Sequence, residues 1–213
     1  MPFRTVAEYG EVGIGLWLDQ SNLALDEARG GVQFHLRRQF REDYGYVIAS
    51  AEVMAVLAVL LKPLGPVLDA GCGSGYLSQE LTRLGVSTFA VDCRDYQVQR
   101  TAPAGYPIKA VAQLDSVGDA PKFVTDKFGA VLLAWPPYGR TFALRVAQAM
   151  LPGQMLVYEG EAAGGCTADN AFFAQMAAAG RWEQIEDISE RLNRHHVTLD
   201  SLHDHWKVWR RKL

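Results

Sequence analysis

The sequence predicts an α/β fold: a seven-stranded, mostly parallel sheet with an antiparallel last strand, helices on both faces and an N-terminal helical extension. Three observations predict it. From Leu68 onward, short apolar runs alternate with helical stretches, the pattern of a parallel sheet covered on both faces. The run Val67-Leu68-Asp69 passes directly into a glycine-rich turn and then into a helical stretch. Segments 182–189 and 206–211 both read as strands, and no helical stretch long enough for a crossover lies between them, so they pair antiparallel.

In chain order, strands are expected at residues 66–69, 87–92, 106–111, 129–135 and 154–159. Helices are expected between them at 76–84, 96–102, around 117–125, at 142–150 and at 170–179. Residues 191–205, rich in His, Asn and Asp, read as a loop of a length that compact domains rarely carry without a function. Upstream, an extension over residues 1–49 precedes a domain over 50–213. Ser50 is a natural N-cap for a helix at 51–61, and Pro63 ends that helix by removing a backbone donor. Residues 19–40 are expected to be helical, broken at Gly30-Gly31.

With 213 residues, 49% hydrophobic and 21% charged, the chain suits one soluble globular domain with a real core, which excludes disordered and fibrous classes. The net charge of -3 gives no bulk attraction for a polyanion, so nucleic acid as a partner would need a local basic patch. Two clusters qualify, His35/Arg37/Arg38/Arg41 and Arg210/Arg211/Lys212, and both read more simply as solvated faces. Cys72, Cys93 and Cys166 are odd in number and include no C-x-x-C pair. That excludes a disulfide framework and a cysteine zinc site, and fits a cytoplasmic protein. The longest apolar run, Val53 to Leu61, falls far short of the roughly 20 residues that span a bilayer, so no membrane partner is expected. The first residues, MPFRTVAEYGEVG, carry no apolar signal region. No oligomeric state is expected on sequence grounds.

The turn Asp69-Ala-Gly71-Cys72-Gly73-Ser-Gly75 places three glycines between a strand and a helix, where the backbone can take positive φ and approach a ligand closely. Dinucleotide-binding folds use G-x-G-x-x-G, and Tyr76 breaks that spacing here. The second strand, STFAVD, ends in the acid Asp92, a feature that nicotinamide-dinucleotide folds share.

This G-x-G-x-G pattern resembles the first motif of class I S-adenosylmethionine-dependent methyltransferases, which have a Rossmann-like sheet. The resemblance implies S-adenosylmethionine as cofactor. It implies that Gly71, Cys72, Gly73 and Gly75 wrap the methionine part and that Asp69 lies near its amino group. It also implies that Asp92 holds the ribose hydroxyls, a role suited to a carboxylate that can accept two hydrogen bonds. Among Ala112, Gln113, Leu114 and Asp115, the family layout puts a polar residue, here Gln113, beside the adenine.

The fourth strand ends in Trp135-Pro136-Pro137-Tyr138, where two prolines force the chain out of the sheet. This resembles the Asn/Asp-Pro-Pro-aromatic motif of methyltransferases acting on amino or amide nitrogens. There the polar residue and the first proline carbonyl accept hydrogen bonds from the target, and the aromatic ring stacks on it. Trp135 departs from that motif, because indole donates a hydrogen bond and accepts none. The fifth strand brings Glu159 and Glu161 to the same edge as candidates to orient the acceptor or take its proton. Together, W-P-P-Y and Y-E-G-E-x-x-G-G-C resemble one branch of class I methyltransferase-like proteins over roughly residues 44 to 211.

Tyr44 and Tyr46 precede the domain where relatives close over the methionine end, so Tyr46 is a candidate cofactor contact. His203-x-His205 could present two rings as metal ligands, but no third ligand follows by spacing, so a solvated loop and no metal are expected. The function expected is methyl transfer to an unidentified acceptor, a nitrogen of a small molecule, protein or nucleic acid. The alternative is a protein that binds S-adenosylmethionine without transferring its methyl group.

Overall fold

The computed structural model describes residues 45–48, 50–93, 112–113, 117–197 and 202–213. The expected helices at 19–40 and 96–102, the strand at 106–111, Tyr44, the cluster His35 to Arg41, and Leu114 and Asp115 lie outside the described residues.

The first described helix, α1 (Ala51–Leu61), starts where Ser50 Oγ accepts the Val53 N–H at 3.2 Å, and a 3-10 turn over Lys62–Leu64 carrying Pro63 ends it. Then come β1 (Val67–Ala70), α2 (Tyr76–Arg83), β2 (Thr88–Asp92), β3 (Ala112–Gln113), a 3-10 segment (Val117–Phe123), β4 (Ala130–Ala134), α3 (Phe142–Ala149), β5 (Met155–Gly160), α4 (Asn170–Ala177), β6 (Trp182–Gln184), α5 (Glu186–Arg194) and β7 (His205–Arg211).

The strands lie in one mixed sheet in the order β3-β2-β1-β4-β5-β7-β6. Every pair from β3 to β5 is parallel, while β7 runs antiparallel to both β5 and β6. Six strands have three residues or more, and the described part of β3 is a two-residue stub at the edge. Strand order reverses between β1 and β4, and it is outside the carboxyl ends of such a pair that open α/β sheets hold ligands.

Both faces are covered. Alternate residues of β4 and β5 feed two cores, as a period of two requires. Ala130, Leu132, Met155 and Val157 pack with α1, α2 and α5 through Leu57, Leu81 and Leu192. Val131, Leu133, Leu156 and Tyr158 pack with α3 and α4 through Val146 and Phe172. Val47 and Ile48 are buried in the first core, so the residues just ahead of α1 are part of the folded unit.

Two expectations are corrected. Only residues 182–184 of the segment 182–189 are strand, and a helix follows. Ile185, Ile188, Ser189 and Leu192 recur at helical spacing on the packed side, with Glu186 and Asp187 in the first turn and Arg191 and Arg194 in the last, each favourable to the helix dipole. The loop expected at 191–205 therefore begins inside α5. The helix around 117–125 is a 3-10 segment containing Pro121, which lacks the donor an α-helix needs there.

At the start of β4, a Cβ on Gly129 would lie 1.8 Å from the backbone oxygen of Leu64, so only glycine fits. Gly129→Ala is expected to lower stability by about 1–3 kcal/mol, the range of overpacked cores, measured by denaturant unfolding.

Candidate functional site

The turn after β1 is closed by its own backbone. Val91 O accepts the Gly71 and Cys72 N–H groups at 2.9 and 3.1 Å, and Cys72 O accepts the Gly75 N–H at 3.0 Å. Gly71, Gly73 and Gly75 have φ of 73°, 58° and 78°, the left-handed region that suits glycine. A Cβ on Gly71 would also press to 3.1 Å from the Phe142 ring. The Gly73 N–H donates to Asp92 Oδ2 at 2.7 Å, so the acid ending β2 is fastened to the loop it was expected to serve. Gln113 sits on β3 at the register position of Asp92. Cys72 is half-buried in the same turn.

Asp69 faces the core. It is 1% exposed, and its Oδ2 accepts the Ser78 hydroxyl of α2 at 2.8 Å, which fixes the helix on the strand. The expectation that it reaches a ligand's amino group is therefore corrected to a supporting role beneath the loop. One turn earlier in α2, the Tyr76 hydroxyl donates to Val47 O at 2.7 Å and holds residues 45–48 over this edge.

That contact brings Tyr46 to the end of β4, where its ring stacks on Trp135 with centroids 5.7 Å apart and planes 10° from parallel. Trp135 has φ 50°, a conformation unfavourable for a bulky residue and typical of functional turns. Its N–H donates to Glu159 O at 2.8 Å. Beyond it the chain leaves the sheet and is held from the side. Ala168 N–H donates to Pro136 O at 3.0 Å, Gly139 N–H donates to Ala168 O at 2.9 Å, and Pro137 bridges to Thr167. Pro136 is buried, and the Ala168 N–H uses one of the two lone pairs of its carbonyl. Tyr138 is 68% exposed at the tip.

The two glutamates differ from expectation and from each other. Glu161 staples the turn that follows β5: its Oε2 accepts the Cys166 N–H at 2.5 Å and its Oε1 accepts the His203 N–H at 3.2 Å. Burial alone would raise its pKa, but these two N–H donors prevail and hold the carboxyl below its ordinary value. Beneath this turn the Tyr158 hydroxyl donates to Glu161 O at 2.7 Å and meets Thr167 Oγ1 at 2.6 Å. Burial pushes that hydroxyl's pKa well above its ordinary range.

Glu159 is wholly buried on the opposite face of the sheet, toward α1 and α5. Its neighbours are His196, just after α5, and Asp204, just before β7. The His196 Nε2 lies 2.9 Å from Asp204 Oδ2 and 3.9 Å from Glu159 Oε1. The Trp206 indole N–H donates to His196 Nδ1 at 3.1 Å. Of these histidines, His195 and His203 are exposed and His205 is half-buried, while the His196 side chain is 5% exposed and lies against Asp204. His203 contributes its backbone N–H to Glu161, and His205 pairs with Gly160 on β7. Sequence inspection missed His196 and Asp204, since nothing in their spacing signals that β7 and the end of α5 meet at Glu159.

At the carboxyl edge, then, a glycine turn carries an adjacent carboxylate, Tyr46 stacks on Trp135 at the end of β4, and Tyr138 is exposed beyond it. Neither glutamate faces this opening.

No protein family's sequence profile matches the chain, and no curated protein matches it. Among solved structures it is similar to the TehB-like SAM-dependent methyltransferase from Corynebacterium glutamicum, at 15% identity over 85% of this chain and 97% of that one, with a TM-score of 0.49. It is similar to the CcbJ methyltransferase from Streptomyces caelestis, at 17% identity over 76% and 90%, with a TM-score of 0.47. A third is SMU.1697c from Streptococcus mutans in complex with SAH, at 15% identity over 75% and 94%, with a TM-score of 0.43. These are low-identity likenesses of overall shape, and the functional reading rests on this chain's own residues.

The Glu161 staple gives a pH-dependent test. A carboxyl whose folded pKa is depressed stabilises above its unfolded value of about 4.5 and stops doing so as pH falls through its folded value. Glu161→Ala is expected to lower stability by about 1.5–3 kcal/mol at neutral pH, the range of hydrogen bonds to a charged group. The gap between variant and wild type should narrow below about pH 4, read by thermal unfolding across pH.

Proposed function

We propose that the chain is an S-adenosylmethionine-dependent methyltransferase whose cofactor occupies the carboxyl edge of β1 and β2. The observation that carries the reading is the Gly73 N–H bond to Asp92 at 2.7 Å, within a turn whose three glycines all have positive φ. It joins a backbone that can lie flat against a ligand to a carboxylate able to accept from a cis-diol, at the point where strand order reverses. The residues suit the group: the glycines of the turn carry no side chains to keep a ligand from its backbone, and a carboxylate lies against it.

When bound, S-adenosylmethionine supplies a methyl group already activated by its sulfonium. The protein's work is then alignment and exclusion of water. Gly71, Cys72, Gly73 and Gly75 would line the methionine part, Asp92 would hold the ribose hydroxyls and Gln113 would lie toward the adenine. Tyr46, Trp135 and Tyr138 would form the walls against which the acceptor is placed for in-line attack. Glu159 and Glu161 act behind this surface. The acceptor is a nucleophile of a small molecule, a protein or a nucleic acid, and a steep salt dependence of affinity would identify the last. The cysteine pattern supports a cytoplasmic setting.

One observation favours a second reading, a cofactor-binding protein without transfer. Trp135 offers no acceptor where the N/D-P-P-Y motif has one, so a feature that holds a target amine is changed. Release of S-adenosylhomocysteine on incubation with cell extract is expected for the enzyme and absent for the binder.

Asp92→Asn, whose amide can still accept from Gly73, is expected to leave the melting temperature unchanged and weaken S-adenosylmethionine binding by about tenfold or more. Tyr138→Ala is expected to abolish methyl transfer with cofactor affinity intact, and unchanged turnover would remove Tyr138 from the site.

A further inference from the structure

Behind the aromatic wall, Glu159, His196 and Asp204 bring one ligand atom each within 4.8 Å of one another, close enough to hold a metal ion. The geometry also poses an electrostatic problem. Glu159 is 0% exposed and, among the described residues, no N–H or hydroxyl donor reaches either of its oxygens. A bare carboxylate in that position is costly by several kcal/mol. Either a cation or a proton must neutralise it.

His196 decides between them. The indole of Trp206 can only donate, so the His196 Nδ1 it points at must be an acceptor. The ring then cannot be an imidazolium, and its single proton sits on Nε2, directed at Asp204 Oδ2. A nitrogen carrying a proton cannot ligate a metal, and moving that proton to Nδ1 would set two N–H groups against each other. Trp206 cannot turn aside. It is wholly buried, and the Asn193 side chain binds both its backbone groups, accepting its N–H at 2.7 Å and donating to its carbonyl at 2.9 Å.

We propose that Glu159 and Asp204 hold one proton between them, Glu159 as the neutral acid and Asp204 as the carboxylate. This pair, with no metal ion, is the positioning element that locks residues 202–205 and His196 against the end of β5. The Glu159 acid donates to Asp204, and Asp204 also accepts from His196 Nε2–H. Because Trp135 N–H rests on the Glu159 carbonyl, the same residue supports the aromatic wall from behind.

The titration directions agree. Glu159 is pushed well above its ordinary value, first by burial and then by the charge and hydrogen bond of Asp204 and the charge of Glu161. Burial would raise Asp204 as well, but the bonds from His196 and Glu159 prevail and lower it. The titratable groups around the pair are His196 after α5, His203 and His205 at the start of β7, and Tyr158 and Glu161 on β5 and beyond it. Burial depresses His205, which disfavours its charged form nearby. An acid whose folded pKa is raised stabilises fully below its unfolded value of about 4.5, and that contribution is lost as pH rises through the folded value.

The test combines infrared spectroscopy, metal titration and unfolding across pH, using wild type and Glu159→Gln, whose amide can donate to Asp204 in the same place. A protonated-carboxyl band at neutral pH, absent from Glu159→Gln, is expected. So are a stability that falls for wild type as pH rises above about 4.5 but stays flatter in the variant, and no saturable heat with Zn2+ or Mn2+. Wild type without a protonated-carboxyl band, or stoichiometric metal binding to wild type, would overturn the proposal. Both of those readings use wild type alone and stand even where the variant does not fold.

Discussion

The parallel pairing of β1 with β4 is the constraint from which the site follows. Its register sets Asp69 opposite Leu132. The chain leaving β1 and the chain leaving β4 therefore emerge side by side at one edge. One exit is a glycine turn fastened to Asp92, the other a proline-stiffened turn fastened to Glu159 O and Ala168. Strand order reverses here, and open α/β sheets leave a crevice at such a point. Tyr46, drawn in by the Tyr76 bond to Val47, reaches the same gap from ahead of α1.

Much of the fold was legible because it rests on local pattern. The apolar runs at 67–70, 88–92, 130–134 and 155–160 are buried strands, and α2, α3 and α4 end within two residues of expectation. The antiparallel pairing of the last strands followed from the missing crossover. Helix α5 escaped notice because its deciding pattern, Ile185/Ile188/Ser189/Leu192, runs at helical spacing through a segment dominated by charge.

The site was legible where a motif carries its own backbone geometry and illegible where a side chain's duty depends on distant partners. Gly71, Gly73 and Gly75 take the positive φ their residue type suggests. Asp69, Glu159 and Glu161 all stand at a strand end, where sequence reading gives a carboxylate to the ligand. In the structure Asp69 accepts from Ser78, Glu161 accepts from the backbone of Cys166 and His203, and Glu159 is wholly buried near His196. All three are buried, whereas Tyr138 is exposed.

The proposed cofactor half of the site, built from backbone and one acid, is open to direct measurement. Calorimetric titration of the wild-type protein with S-adenosylmethionine, S-adenosylhomocysteine and NAD should show the first two binding one per chain and competing with each other. NAD should neither bind nor displace them. Absence of binding by both sulfur compounds, or displacement of either by NAD, would contradict the account.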